Sequence, residues 1–357
     1  MENYKNNEIY QIFQNKLKIE FGKVLGKGGF GEVREYIKNG EKYGTKIIKK
    51  KKNDNYNSEK LGQLLNNPNV IKIYKIHETK KYNQELCKQE LYRLVLMEKA
   101  ILKDLKYMIG YFFKTNYLRL INIGFSQKIS DLLLVYFTKQ IISGLEAFNR
   151  NEFVHFDLKP DNILVFLGLK LKISDFDLLK DIHESKSIFL PGGTPGYLSP
   201  EFYAYKNEKV STDICKKQDY FSLGTTIFFI KYGRIMIKLN KHYNDIDSLI
   251  NQESVVESIL DAMAYIQSDY TSDKDFISFI CSLITIIPEE RPTFEEIYRN
   301  KWVNKNKDLI KKIFSYYGNK EAKLCLEMNK HSFLIDKKDE IRKNKNRGKK
   351  FVYIPNK

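Results

Sequence analysis

Three oxygen-bearing side chains near the middle of the chain have types and a spacing that suit phosphate chemistry. Asp157 and Asn162 lie in the segment His155–Leu164, and Asp175 follows thirteen residues after Asn162. In phosphoryl transfer, one Asp accepts the hydrogen bond of the attacking hydroxyl, while an Asn and a second Asp hold magnesium through oxygen. Asp, Asn and Pro also collect in ordinary turns, so the surrounding sequence must decide between the two interpretations.

A glycine-rich segment near the N-terminus offers backbone that can lie close over phosphates. Gly26, Gly28 and Gly31 have the spacing G-x-G-x-x-G between apolar residues. The same spacing occurs in dinucleotide sites, where a helix follows the last glycine. Here residues 32–37 alternate like a strand, and Asn39-Gly40 predicts a hairpin turn. The segment therefore predicts two strands joined by a glycine-rich turn.

In this combination and order, the two segments resemble the catalytic core of the protein kinase family. The resemblance implies an α+β fold with two lobes, a small mostly β N-lobe and a larger mostly helical C-lobe. With 42% hydrophobic residues in 357, the chain is long enough to bury two cores. The predicted divisions are an N-terminal extension (1–16), a kinase domain (17–302) with its N-lobe (17–97), hinge (98–100) and C-lobe (101–302), and a basic tail (303–357).

The resemblance also implies an activity, transfer of the ATP γ-phosphoryl group to Ser or Thr hydroxyls of a protein. Asp157 is then the base, and Lys159 neutralises the γ-phosphate. Asn162 and Asp175 hold Mg²⁺, with Mn²⁺ as a possible substitute. Lys159 resembles the serine/threonine version of the loop, and the segment Gly193–Tyr197 points the same way.

Lys46 resembles the lysine of the family's third strand, which contacts the α and β phosphates. Lysines are so frequent in residues 46–52 that a solvated basic strand end is the alternative for any one of them. The family places an acidic partner on the following helix. Glu59 is the only carboxylate in residues 55–69, but its spacing to Pro68 is about one residue short, and an unpartnered surface glutamate stays open as an alternative.

The remaining nucleotide contacts implied by the resemblance come from both lobes. Met97 would border the pocket behind the adenine, and the segment Glu98–Ala100 would receive the adenine through main-chain groups. A methionine at that point is also simply a core residue, and the two interpretations are compatible. The full set of predicted nucleotide-binding residues is Gly26, Gly28, Gly31, Val33, Lys46, Glu59, Met97, Glu98, Ala100 and Leu164.

Features downstream of Asp175 match the family independently. Glu201 follows Ser-Pro at the end of the predicted activation segment, and Arg291 is expected to pair with it. Asp219 is expected to bind the backbone of the catalytic loop, and the nearly all-apolar run after it predicts a core helix. Thr194 is expected to contact Asp157 and Lys159.

Three residues depart from the family pattern. Phe156 replaces an arginine that binds a phosphate on the activation segment, so phosphorylation there is less expected to be obligatory. Asp177 replaces a glycine whose freedom includes positive φ, and it adds a carboxylate beside the metal ligands. Gly44 lacks an alanine methyl, a loss of about 1 kcal/mol. These departures leave a second hypothesis, a pseudokinase that serves as a nucleotide-binding scaffold.

Charge and cysteine use bear on partners and location. Residues 303–357 hold sixteen Lys or Arg and six Asp or Glu, a net +10 of the chain's +17. Such a tail can bind nucleic acid, anionic lipid or an acidic partner, or it can simply reflect the general excess of lysine. The scattered cysteines, the lack of a signal-like N-terminus and the lack of a long apolar run predict an intracellular protein, cytoplasmic or nuclear, with no transmembrane segment. Residues 107–127 are expected to be an insertion.

Overall fold

The computed structural model describes residues 8–28, 31–49, 58–83, 88–115, 131–205, 208–237 and 252–305. The first part of the chain forms an antiparallel five-stranded sheet in the order β1-β2-β3-β5-β4. Its strands are Glu20–Gly28 (β1), Gly31–Lys38 (β2), Glu41–Lys49 (β3), Ile73–Asn83 (β4) and Lys88–Met97 (β5). The register places Lys46 in the middle of the sheet, opposite Val33 on β2 and Val95 on β5.

A helix precedes the sheet and packs on it. This helix, Glu8–Leu17 (α1), buries Ile9 and Phe13 in a cluster with Phe21 and Leu94 of the sheet. A fully buried Phe contributes about 1.5–3 kcal/mol. Two residues of the predicted N-terminal extension, Ile9 and Phe13, therefore pack against the sheet of the small lobe.

A short helix, Ser58–Leu64 (α2), connects β3 to β4. Seven residues cannot form a stable helix alone, so tertiary contacts must hold it. Arg93 on β5 supplies one such contact: it donates to Glu59 Oε2 of α2 at 3.0 Å and to Glu78 Oε1 of β4 at 2.6 Å. The guanidinium thus ties α2 to the sheet.

The second part of the chain is mainly helical, which confirms the predicted two-lobed α+β fold. Its helices are Leu105–Thr115 (α3), Asp131–Arg150 (α4), Pro200–Ala204 (α5), Thr212–Tyr232 (α6), Gln252–Gln267 (α7), Lys274–Leu283 (α8), Phe294–Arg299 (α9) and Lys301–Asn304 (α10). Helix α6 is buried on all sides from Gln218 to Lys231, as its apolar sequence predicted. Gly233 ends it in the left-handed conformation, with φ of 68°.

Short strand pairs position the loops between the helices. They are Phe153–Val154 (β6) with Lys180–Asp181 (β9), Ile163–Phe166 (β7) with Lys170–Ile173 (β8), and Ser187–Phe189 (β10) with Lys209–Ser211 (β11). Single 3₁₀ turns lie at Pro160–Asn162, Leu167–Leu169 and Pro288–Glu290. Because Ile163 pairs with Ile173, the residues just outside this ladder, Asn162 and Ser174, lie side by side.

Two sequence predictions fall partly or wholly outside the described residues. The predicted insertion 107–127 begins inside α3, whose Met108, Ile109 and Phe112 are core residues, and its part after Thr115 lies outside. Residues 306–357 of the basic tail also lie outside. Within the described ranges, no helix combines the length and the hydropathy needed to span a bilayer.

Candidate active site

Asp219 of α6 fixes the backbone of the loop that follows β6. Its Oδ2 accepts the N–H of His155 at 2.7 Å, and its Oδ1 accepts the N–H of Phe156 at 3.0 Å, which confirms the predicted contact. Burial raises the pKa of the Asp219 carboxyl, and the two N–H donors oppose that rise. Phe156 has a positive φ of 64° and a fully buried ring that packs edge-on against Phe202. The loop is therefore held by a buried carboxylate on one side and an apolar contact on the other.

The Asp157 carboxylate is surrounded by donors. Its Oδ1 accepts the N–H of Thr194 at 3.0 Å and the Thr194 hydroxyl at 2.6 Å. Its Oδ2 accepts from Lys159 Nζ at 2.6 Å and from the Asn162 amide at 2.9 Å. Lys159 Nζ also donates to Thr194 Oγ1, so the predicted contacts of Thr194 are confirmed. A carboxylate has about four lone-pair sites, and in this arrangement all of them are used.

Asn162 and Asp175 are brought together by Ser174. The N–H and the hydroxyl of Ser174 both donate to the Asn162 carbonyl, at 2.8 and 2.9 Å. The Asn162 amide nitrogen donates to Asp157, which turns the amide oxygen away from it. Asp175 has a positive φ of 67°, a conformation that Asp tolerates better than most residues.

These oxygens fit a hard divalent cation. Mg²⁺ in phosphoryl-transfer sites takes one or two protein ligands and completes its shell with phosphate and water. An amide oxygen and a carboxylate next to the cleft supply that number. No group of three or more His, Cys, Asp or Glu suited to a metal occurs in the described ranges.

Lys46 of β3 reaches the same place from the small lobe. Its Nζ lies 2.8 Å from Asp175 Oδ1 and 2.5 Å from Asp177 Oδ2. Burial by itself lowers the pKa of Lys46, but the two carboxylates outweigh it and the pKa is raised. Burial and the neighbouring Asp175 carboxylate raise the pKa of Asp177 to about 7. In the segment Asp175–Asp177 the residue with a positive φ is Asp175. Position 177 therefore does not need the conformational freedom of a glycine.

The expected pairing of Lys46 with Glu59 is wrong. Glu59 is buried and its ion pair is with Arg93, at 3.0 Å. The shortfall of one residue in its spacing to Pro68 explains the difference, because one residue turns the side chain about 100° around a helix. The alternative of an unpartnered surface glutamate is equally wrong.

Phe176 joins α2 to the catalytic loop. Its ring lies 6.0 Å from the His155 ring and 6.1 Å from the Phe148 ring, centroid to centroid. On its other side is Gly62, where an added Cβ would lie only 2.2 Å from Phe176 Cδ2. The glycine is therefore required for the close approach of α2 to the segment Asp175–Asp177.

The glycine-rich segment forms the expected hairpin. Gly28 pairs with Gly31 and Gly26 pairs with Val33 across β1 and β2, while residues 29–30 lie outside the described ranges. A Cβ at Gly31 would lie 2.9 Å from the carbonyl oxygen of Ile47 on β3. Gly31 thus lies next to the strand that carries Lys46.

The expected adenine site lies where β5 leaves the sheet. Met97 pairs with Gly44, and an added Cβ at Gly44 would lie 3.3 Å from both Met97 Cγ and the Glu98 carbonyl oxygen. The start of the predicted hinge at Glu98 therefore lies close to the position that an alanine methyl at residue 44 would occupy. Among the described residues, no backbone–backbone hydrogen bond outside the helices and strands involves Ala100. Leu164 on β7 packs against the main core.

The predicted pair of Glu201 and Arg291 is confirmed. The guanidinium donates to both carboxylate oxygens, at 2.5 and 2.8 Å, and the Arg291 side chain is completely buried. The pair joins the end of the activation segment to the loop before α9, and thereby anchors the segment that carries Thr194.

Comparison with known proteins agrees with this geometry. A family model described as the protein kinase domain matches residues 19–303. This chain belongs to the protein kinase family. The match begins after the end of α1, although this helix packs on the sheet of the kinase.

Several relatives carry the names of serine/threonine kinases. The probable serine/threonine-protein kinase MARK-A of Dictyostelium discoideum is 28% identical over 323 residues, 85% of this chain and 26% of that protein. The probable cell cycle serine/threonine-protein kinase CDC5 homolog of Encephalitozoon cuniculi is 25% identical over 301 residues, 82% of this chain and 56% of that protein. Serine/threonine-protein kinase 17A of Oryctolagus cuniculus is 24% identical over 308 residues, 82% of this chain and 68% of that protein. This kinase chain spans about a quarter to two thirds of their lengths.

Sequence reasoning missed two residues of this kinase site. It treated Asp177 only as a neighbour of the metal ligands, whereas the structure places its carboxylate on Lys46. It gave no role to Arg93, which holds Glu59. The shortened spacing before Pro68, together with an acidic residue at 177, was the available signal for both.

Proposed function

We propose that this chain is a serine/threonine protein kinase that transfers the γ-phosphoryl group of ATP to protein hydroxyls. The supporting observation is the arrangement around Asp157, in which Thr194, Lys159 and Asn162 all donate to one carboxylate. This carboxylate is thereby held in one orientation next to the cation ligands. Positioning and charge stabilisation are the main protein contributions to phosphoryl transfer.

The nucleotide would lie between the lobes. The adenine would contact the main chain of Glu98 and Ala100, with Met97 and Leu164 against its ring. The glycine-rich hairpin would cover the phosphates, and Lys46 would bind the α and β phosphates. Mg²⁺ or Mn²⁺ held by Asn162 and Asp175 would neutralise the charge that develops on the phosphate oxygens.

The full occupancy of the Asp157 carboxylate implies a sequence of movements. A substrate hydroxyl needs an acceptor on Asp157, and each site already has a donor. Lys159 is the donor that can leave, because a γ-phosphate offers its ammonium a stronger charge. Its departure frees Oδ2 for the hydroxyl, which Asp157 then orients and deprotonates late in the transfer.

The class of acceptor rests on two observations. Lys159 donates to both Asp157 and Thr194, so the residue typical of serine/threonine kinases is part of the network. The relatives named above are serine/threonine kinases by name. An intracellular location, and an anionic partner for the tail, stay predictions.

Replacing Asp157 by Asn tests the proposal. General-base positioning contributes about 10²–10⁴-fold, so ³²P transfer from ATP to generic protein substrates should fall at least about 100-fold. The melting temperature, measured in parallel, should show a folded protein. A folded Asp157→Asn variant that keeps full transfer would reject the role of Asp157. Wild-type protein that gains melting temperature with ATP and Mg²⁺ but transfers no phosphate would instead indicate the nucleotide-binding scaffold.

A further inference from the structure

The strongest unexplained feature of the cleft is the second carboxylate on Lys46. The Asp177 side chain is only 8% exposed, whereas that of Asp175 is 33% exposed. Asp177 is therefore the inner partner of the ammonium, and Asp175 is the partner that faces solvent. One cation with two carboxylates leaves a net negative charge at the place where a divalent cation is expected.

Helix α2 cannot supply a carboxylate to Lys46 without a large cost. Its only acidic residue, Glu59, is bound to Arg93, whose side chain is 3% exposed. Turning Glu59 towards Lys46 would remove one ion-pair partner from that buried guanidinium. Its other ion pair, with Glu78, lies on the solvent side. The Arg93 contact therefore commits Glu59 to holding the helix.

The face of α2 that lies against the segment Asp175–Asp177 carries the small uncharged residues Ser58 and Gly62. Gly62 contacts Phe176, the residue between Asp175 and Asp177. Ser58, one helical turn before Gly62, lies on the same side of the helix and is buried. A carboxylate at position 58 would have the spacing to Pro68 that Glu59 lacks. At that position this chain has a serine.

We infer that Asp177 is the positioning residue for Lys46, replacing the helix carboxylate that this chain has committed to Arg93. The inference rests on the proposed kinase activity. With Asp175 holding a divalent cation, Lys46 would keep the Asp177 carboxylate as its ion-pair partner and would stay directed at the nucleotide phosphates. In this proposal Asp175 binds the cation, and Asp177 forms the ion pair with Lys46.

A first experiment measures the pairing without any nucleotide. A double-mutant cycle of Lys46→Met and Asp177→Asn, followed by urea unfolding at pH 8, should give a coupling on the order of tenfold in the unfolding constant. A matching cycle of Lys46→Met with Glu59→Gln should give none. Coupling to Glu59 and none to Asp177 would overturn the inference. Because no turnover is involved, this result stands even if the proposed activity fails.

A second experiment moves the carboxylate. Asp177→Gly should lower kcat/KM for ATP about tenfold, the value expected for one charge-assisted contact to a buried group, mainly through KM. Adding Ser58→Glu to Asp177→Gly should restore most of the loss, which a merely structural role of Asp177 would not predict. Glu90→Gln, which removes another buried carboxylate of the small lobe, should leave KM unchanged. Full or increased activity in Asp177→Gly would overturn the inference.

Discussion

Replacing Gly62 by Ala is the most direct test of how α2 and the segment Asp175–Asp177 fit together. The new Cβ would lie 2.2 Å from Phe176 Cδ2 and 2.7 Å from Cε2, whereas ordinary contacts begin near 3.4 Å. The ring must therefore move by about 1 Å, and the rings of His155 and Phe148 limit that movement. Overpacking of this kind costs about 1–3 kcal/mol. Alanine also gains about 1 kcal/mol over glycine inside a helix, so the net loss of unfolding free energy is about 0–2 kcal/mol.

Gly110 provides the matched control. It lies inside α3, and an added Cβ there meets nothing within 4 Å. Gly110→Ala should therefore show only the helix-propensity gain of about 1 kcal/mol. The difference between the two variants in urea unfolding isolates the overlap with Phe176, about 1–3 kcal/mol. Because a displacement of 1 Å can cost about 100-fold in rate, phosphate transfer should fall 10–100-fold in Gly62→Ala and stay unchanged in Gly110→Ala. Equal stability and equal transfer in the two variants would refute the argument.

Two further predictions concern Phe156 and Asp177, two of the residues that depart from the family pattern. Phe156→Ala should lower the unfolding free energy by about 3–5 kcal/mol, because it empties a fully buried site beside Phe202. A loss of less than about 1 kcal/mol, measured by urea unfolding, would contradict that packing. The pKa of Asp177 is raised to about 7 in the folded protein, so the native state binds this proton more tightly than the unfolded chain does. The contribution of Asp177 to the free energy of unfolding should then fall as pH rises from about 4 to about 7. Asp177→Asn should remove that part of the pH dependence of the melting temperature. Identical pH profiles of the melting temperature in the wild type and the variant would show that the pKa of Asp177 is ordinary.

The sequence predicted contacts that local motifs determine. Asp157, Lys159 and Asn162 lie within six residues of one another, so their relative placement follows from one loop conformation. The longer-range pairs of Asp219 with the loop backbone and of Arg291 with Glu201 were also predicted, because the resemblance to the family supplied both partners.

The contacts of α2 could not be predicted in the same way. Whether Glu59 faces Lys46 or Arg93 depends on the rotation of a seven-residue helix, and a shift of one residue is enough to exchange the two outcomes. The docking of α1 escaped prediction for a related reason. Its apolar residues, Ile9 and Phe13, have a helical spacing, but the sequence does not indicate which surface they cover.

The residues at positions 62, 93 and 177 belong to one connected arrangement. Arg93 holds α2 against the sheet through Glu59, and the absence of a side chain at Gly62 lets Phe176 pack under the helix. Phe176 then fixes the backbone between Asp175 and Asp177, which directs both carboxylates to Lys46. A change at any one of these positions should therefore move the lysine, because the helix, the aromatic ring and the two carboxylates are in contact in series. On this basis we expect the acidic residue at 177 to take part in aligning Lys46.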